Sequence, residues 1–192
     1  MRIAFKEWAV VADALGRGEQ IVILRKGGIA EGRGGFRPEH ERFWLFQTLF
    51  HQQRESVLPA AQKRFDEIAP HFPPADSLRL EFFCEVVEAR RLESLAAAEQ
   101  LRGQHIWRDE VAAERFDWGR DASLYAMAVR VSRLPQSVEL PMLASYGGCK
   151  SWVELETAPD FSTAQPVLDE IAFRAKLEQF HAALNTTAAD AH

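Results

Sequence analysis

Apolar positions along this chain repeat with two periods. Ile21–Leu24 and Phe43–Phe46 are apolar runs with no polar break, which predicts short strands covered on both faces. Leu78, Leu80, Phe82, Cys84 and Val86 alternate with Arg79, Glu81, Phe83 and Glu85, predicting a long strand over 78–92. Its phase is lost after Val86-Val87, as a bulge or bend requires. Tyr125, Met127, Val129 and Val131 form one face of a further strand over 124–134, which Pro135 is expected to end. Trp152–Leu155 is the last short strand.

Helical spacing governs the rest. Phe5, Trp8, Ala9, Ala12 and Leu15 predict a helix over 5–15, stopped by Gly16-Arg17-Gly18, with a strand at Trp8–Val11 as the competing reading. Val57, Leu58, Ala61, Phe65 and Ile68 predict a helix over 56–68 with Pro59 in its first turn. Ser94 is placed to cap a helix over 95–101 that Gly103 ends, and Asp109 to cap another over 110–116. A C-terminal helix is expected from near Pro166, capped by Ser162 or Thr163, with Phe173, Leu177, Phe180 and Leu184 along its apolar edge.

Long irregular strands and short helices argue against a doubly wound sheet. The pattern predicts an α+β class: a small curved mixed sheet or barrel with flanking helices, in one domain over 1–192. Its core is expected over about 5–156 and its C-terminal helix over about 164–185.

With 192 residues, the chain buries a core without staples. No run of eighteen apolar residues predicts a membrane span, and Arg2, Lys6 and Glu7 come too early for a secretory signal. Two cysteines make no disulfide framework, so a reducing cytoplasm is the expected compartment. The net charge of −5 does not advertise nucleic acid over the whole surface. Residues 17–54 differ: Arg17, Arg25, Lys26, Arg33, Arg37, Arg42 and Arg54 outnumber Glu19, Glu31, Glu39 and Glu41. Such a patch binds an anion, or its arginines pair with nearby glutamates on a solvated loop.

Within that patch, Gly27, Gly28, Gly32, Gly34 and Gly35 mark a basic loop where backbone approaches something closely. It lacks the residue order of a phosphate-binding P-loop, and so does Tyr146-Gly147-Gly148-Cys149-Lys150-Ser151. No histidine pair or Cys-x-x-Cys suggests a zinc cage, and no cofactor is implied. None of the five lysines has an acidic residue two positions before it, as one class of metal-dependent nuclease requires. Cys149 is a candidate nucleophile, because Lys150 beside it would lower its thiol pKa; the competing reading is a small buried residue. Phe43, Trp44, Phe46 and Phe50 interleave with Arg37, Arg42 and Arg54, a mixture suited to stacking on unpaired bases, unless most of these rings are core.

Four stretches together resemble the bacterial domain-of-unknown-function family 1802. They are Phe5–Ala9, Leu24–Ile29, Phe43–Thr48 with His51-Gln52, and Tyr146–Trp152. The resemblance spans about Phe5 to Leu155, with Gln47 where the pattern has proline. The family has no established activity, and its occurrence beside restriction-endonuclease domains implies a nucleic-acid context and a nuclease partner by association. A second resemblance, to the ASCH branch of the PUA-like superfamily, rests on the Glu31-Gly32-Arg33 half of a G-x-K-x-x-E-x-R motif. It implies a cleft that binds RNA or a modified base, with Lys26, Glu31 and Arg33 facing it.

The expected function is therefore binding of RNA, single-stranded DNA or a nucleotide. Arg25, Lys26, Arg33 and Arg37 would meet phosphates, and Trp44 and His51 a base. Glu31, Cys149 and Lys150 complete the candidate site. Two rivals use the same residues differently. One is an enzyme with Glu31 or His51 as acid–base and Cys149 as nucleophile; the other is an interaction module that accompanies a nuclease. The convergence of Arg25–Gly35 with His51 and Tyr146–Trp152 would distinguish a site from a turn.

Overall fold

The computed structural model describes residues 1–26, 38–118 and 122–189. It is α+β, with a curled mixed sheet and helices packed around it. Strand β1 (Ile3–Trp8) runs directly into helix α1 (Ala9–Gly16). Then come β2 (Val22–Arg25), β3 (Arg42–Thr48), α2 (Gln52–Glu55) and α3 (Pro59–Ile68). The long β4 (Ser77–Leu92) leads to α4 (Leu95–Glu99) and α5 (Asp109–Asp117). Strand β5 (Leu124–Pro141), β6 (Trp152–Glu154), β7 (Gln165–Pro166) and α6 (Glu170–Ala189) complete the chain.

The sheet order is β2-β5-β4-β3-β1-β6, with β7 on the outer edge of β5 beyond β2. Among the described strands only β1 and β3 pair in parallel. The β4–β5 ribbon slips register twice, between Leu80 and Phe82 and between Val86 and Glu88. The second slip is the bulge expected at Val86-Val87. Each slip adds local twist, and two of them curl the sheet.

Five expectations need correction. The helix over 5–15 is half strand, because the Phe5–Trp8 spacing also suits a strand. There, pairing of Ala4–Trp8 with Trp44–Thr48 outweighs the local helical signal. The competing strand at Trp8–Val11 does not form either, since Val10 and Val11 lie in α1. Pro135 does not end β5. The strand continues to Pro141, with Pro135 inside the first slip, where a missing N–H breaks no ladder bond. The last helix starts at Glu170 rather than near Pro166. Asp169 holds its first turn through Oδ1, which accepts from the Ala172 N–H at 2.8 Å, while Gln165–Pro166 pairs as β7. Asp109 likewise opens α5 instead of capping it.

Other local readings hold. Ser94 Oγ accepts from the Ala97 N–H at 3.2 Å, Gly103 adopts φ +83° beyond α4, and Pro59 stands in the first turn of α3. Both faces of β3 are covered. Phe43 and Leu45 join the larger core with Phe5, Ile23, Met127 and residues of α1 and α6. Trp44 and Phe46 join a second core with Leu78, Leu80, Phe83 and Tyr146. Arg64 fastens α3 to α1, both bonds to the Asp13 carboxylate being 2.8 Å. Among the described residues no helix is long and apolar enough to cross a membrane.

Gly16 closes α1 against the sheet so tightly that a Cβ there would sit 2.2 Å from Phe82 Cζ. Phe82 is itself buried, so the ring has little room to retreat. Gly16→Ala is expected to lower stability by about 1–3 kcal/mol, measured as a lower urea midpoint with an unchanged slope.

Candidate anion-binding cleft

The curl brings the two ends of the sheet to one another. Arg25, the last residue of β2, donates from Nε and Nη2 to Ser151 Oγ, just before β6, at 3.0 and 2.8 Å. Its guanidinium also stacks over the Phe5 ring, 5.0 Å from the centroid. Ser151 is buried, and its carbonyl accepts from the Lys6 N–H at 2.9 Å. Side chains thus close this seam.

Above the seam lies a cleft of about 520 Å³. Its walls carry Lys6, Arg25, Lys26, Arg115 and Lys150, with Glu114 as the one carboxylate among the described lining residues. Lys6 Nζ donates to the Gly148 carbonyl at 2.9 Å and lies over the Phe46 ring. Burial lowers the Lys6 pKa, the charges of Lys150 and Arg25 push the same way, and Cys149 acts in opposition. Lys150 Nζ donates to the Ser145 carbonyl at 2.7 Å. Arg115 stands over both Trp8 and Trp107, 5.1 Å from each ring centroid, and burial lowers its pKa too. Among the described residues none of Lys6, Arg25, Arg115 and Lys150 has a carboxylate partner; the hydrogen bonds of Lys6, Arg25 and Lys150 go to neutral oxygens, and Arg115 rests on its two rings. Two aromatic side chains stand out from the walls, Phe50 at 61% and Trp118 at 49% exposure.

Both readings of the basic patch therefore apply, to different residues. Arg17 pairs with Asp13 and Glu19, Arg42 with Glu85, and Arg54 with Asp66 and Glu55. Arg25 pairs with none of these.

The structure brings Arg25, Lys26, Cys149 and Lys150 into one cleft. Lys26 is largely committed there: its Nζ donates to the carbonyls of Phe116 and Ser123 at 3.0 and 2.9 Å, holding the negative end of α5. Cys149 is an exposed free thiol next to Gly148, whose φ is +84°. Trp44 requires correction. It is wholly buried in the second core, edge-on to Phe83 at 5.3 Å, with Nε1 donating to the Met1 carbonyl. A strand without polar residues is covered on both faces, so Trp44 has no path to a base. His51 is exposed at the start of α2 and does not line the cleft, although its neighbour Phe50 does. Glu31, Arg33 and Arg37 lie outside the described residues.

Lys6, Trp8, Thr48, Arg115 and Trp118 line the cleft without having been singled out as site residues, and of the four aromatics suited to stacking only Phe50 reaches it. For Lys6 and Trp8 the signal was present: alternation in β1 puts both on one side of the strand. Arg115 and Trp118 arrive from α5 and its C-cap, and nothing local marks them.

A model of a domain-of-unknown-function family, DUF1802, matches residues 4–179. The chain belongs to this family. Every described wall of the cleft in this DUF1802 protein lies inside the matched span. Among solved structures, it is similar to the crystal structure of ASCH from Zymomonas mobilis, with 13% identity and a TM-score of 0.46, over 80% of this chain and 87% of that one. A variant of that protein gives 15% identity and a TM-score of 0.44, over 80% and 89%. No curated protein matches the DUF1802 chain.

Between Lys6 and Trp8 in β1, Glu7 is buried. Burial raises its pKa, while Arg25, the Trp8 N–H and Arg115 pull it back down. The native state thus holds a proton that the unfolded chain releases near the ordinary value of 4.5. Its contribution to stability is full below that pH and is lost as pH rises through the folded value. Glu7→Gln is expected to remove this term. The variant should gain on the wild type as pH rises above 4.5, measured by urea unfolding across the acid-to-neutral range.

Proposed function

We propose that the cleft binds single-stranded nucleic acid or a nucleotide, with phosphate at Lys6, Arg25 and Lys150 and an unpaired base against Phe50 or Trp118. The observation that supports this reading is the convergence of Lys6, Arg25 and Lys150, none with a carboxylate partner among the described residues, on an aromatic-walled cleft. Each charge is already oriented by a neutral oxygen, so binding an anion costs little side-chain order. Aromatic faces accept any base by stacking, which suits unpaired strands more than duplexes. The chain's overall negative charge of −5 keeps the rest of the surface from competing.

A second reading, an enzyme that uses Cys149 as nucleophile, is favoured by the exposed thiol inside the same cleft. Turnover lost in Cys149→Ala, with ligand protecting the thiol from alkylation, would support it over simple binding.

Affinity for a labelled single-stranded RNA or DNA is expected to fall steeply between about 50 and 200 mM salt. Lys6→Ala with Lys150→Ala should flatten the log–log salt dependence by about one per lost phosphate contact and weaken binding to all sequences alike. Absence of binding at low salt, or binding indifferent to salt, overturns the proposal.

A further inference from the structure

Lys6 differs from the arginines of the cleft in what it can become. Arg25 and Arg115 are guanidinium groups, which keep their proton under ordinary conditions. An amine that loses its proton exposes a lone pair, and a lysine does so most readily where burial and neighbouring cations disfavour its charge. Lys6 stands in such a place. It is half-buried on the cleft wall, with Lys150 and Arg25 acting against its charge.

Its position is also fixed. Strand β1 gives the side chain a rigid root. The Gly148 carbonyl accepts from Nζ at 2.9 Å, and the centroid of the Phe46 ring lies 5.4 Å from the same nitrogen. Of the five lysines in the chain, Lys6, Lys26 and Lys150 line this cleft, and Lys26 already serves two carbonyls.

We propose that Lys6 is a nucleophilic amine that forms an imine with an aldehyde carried beside a phosphate, such as the sugar of a single strand that has lost its base. The proposal rests on the nucleic-acid reading of the same cleft. There Arg25 and Lys150 suffice for the phosphate, which frees Lys6 for chemistry. A sugar without its base opens to an aldehyde at the carbon that bore the base, the carbon that a strand held by cations and rings places between them. The nitrogen lone pair adds to the carbonyl carbon. The carbonyl oxygen then leaves with both amine hydrogens as water, and a C=N bond remains; nothing is oxidised or reduced. Once protonated, the imine nitrogen again has an N–H for the Gly148 carbonyl.

The test is incubation of the full chain with sodium cyanoborohydride, which reduces an imine to a stable secondary amine, and either of two probes. One is a single-stranded DNA oligomer with a base-free site; the other is pyridoxal phosphate. Peptide mass spectrometry locates the adduct. At neutral pH Lys6 is expected to be labelled about tenfold faster than the exposed Lys63, and its rate should reach half-maximum below the ordinary lysine value of 10.5. A hemithioacetal at Cys149 is not reduced, so the exposed thiol does not contribute. Lys6→Arg should abolish the adduct and Lys63→Arg should leave it, with urea unfolding to verify that both fold. Labelling by pyridoxal phosphate alone keeps the amine and assigns the aldehyde to a small phosphorylated molecule. Lys6 unlabelled by either probe, or an adduct that survives in Lys6→Arg, overturns the proposal; an intact oligomer that still binds then leaves the cleft as a binding site only. If no oligomer binds either, the underlying reading falls with it.

Discussion

The β4–β5 ribbon governs this structure through its two slips of register. An evenly paired ribbon of sixteen and eighteen residues would spread the sheet and keep β2 and β6 far apart. With the slips, the ribbon coils, and the first and last strands in sheet order come within one arginine side chain of one another. Everything at the cleft follows from that approach. Arg25 reaches Ser151, the Gly147–Lys150 turn is set beside Lys6, and α5 presents Arg115 and Trp118 from the other side.

The cleft also shows how a protein keeps cations together. Burial and mutual repulsion disfavour the charge on Lys6, and among the described residues no carboxylate is placed against it. Carbonyl oxygens and aromatic faces hold the group instead. These are weaker partners than a carboxylate, and they leave the positive potential available to an incoming anion. On the rest of the surface, arginines such as Arg54 and Arg64 are neutralised by aspartate and glutamate, and their potential is spent.

Much of this was legible in the sequence, for definable reasons. The uninterrupted runs at Ile21–Leu24 and Phe43–Phe46 were strands with both faces covered, and the phase break at Val86-Val87 was a bulge. The basic loop's first residues did meet the Gly147–Lys150 turn. Short segments with two compatible periods misled. Phe5–Trp8 fits a helix or a strand, and only its partner in β3 decides. That error hid Lys6. Trp44 misled for the opposite reason: arginines near it in sequence suggested exposure, while the apolar character of its strand already implied burial. Arg115 and Trp118 depend on where α5 docks, which no local pattern encodes.

The seam between β2 and β6 has one more consequence. Both strands end the sheet, and a free strand edge invites pairing with another molecule. Among the described residues the backbone ladder stops short of closing the ring. Arg25 and Ser151 span the gap as a removable rivet, with a charge at the place where an intruding strand would dock. The residue that covers this edge is also one that lines the cleft. An anion that draws Arg25 outward must therefore shield the edge that Arg25 leaves.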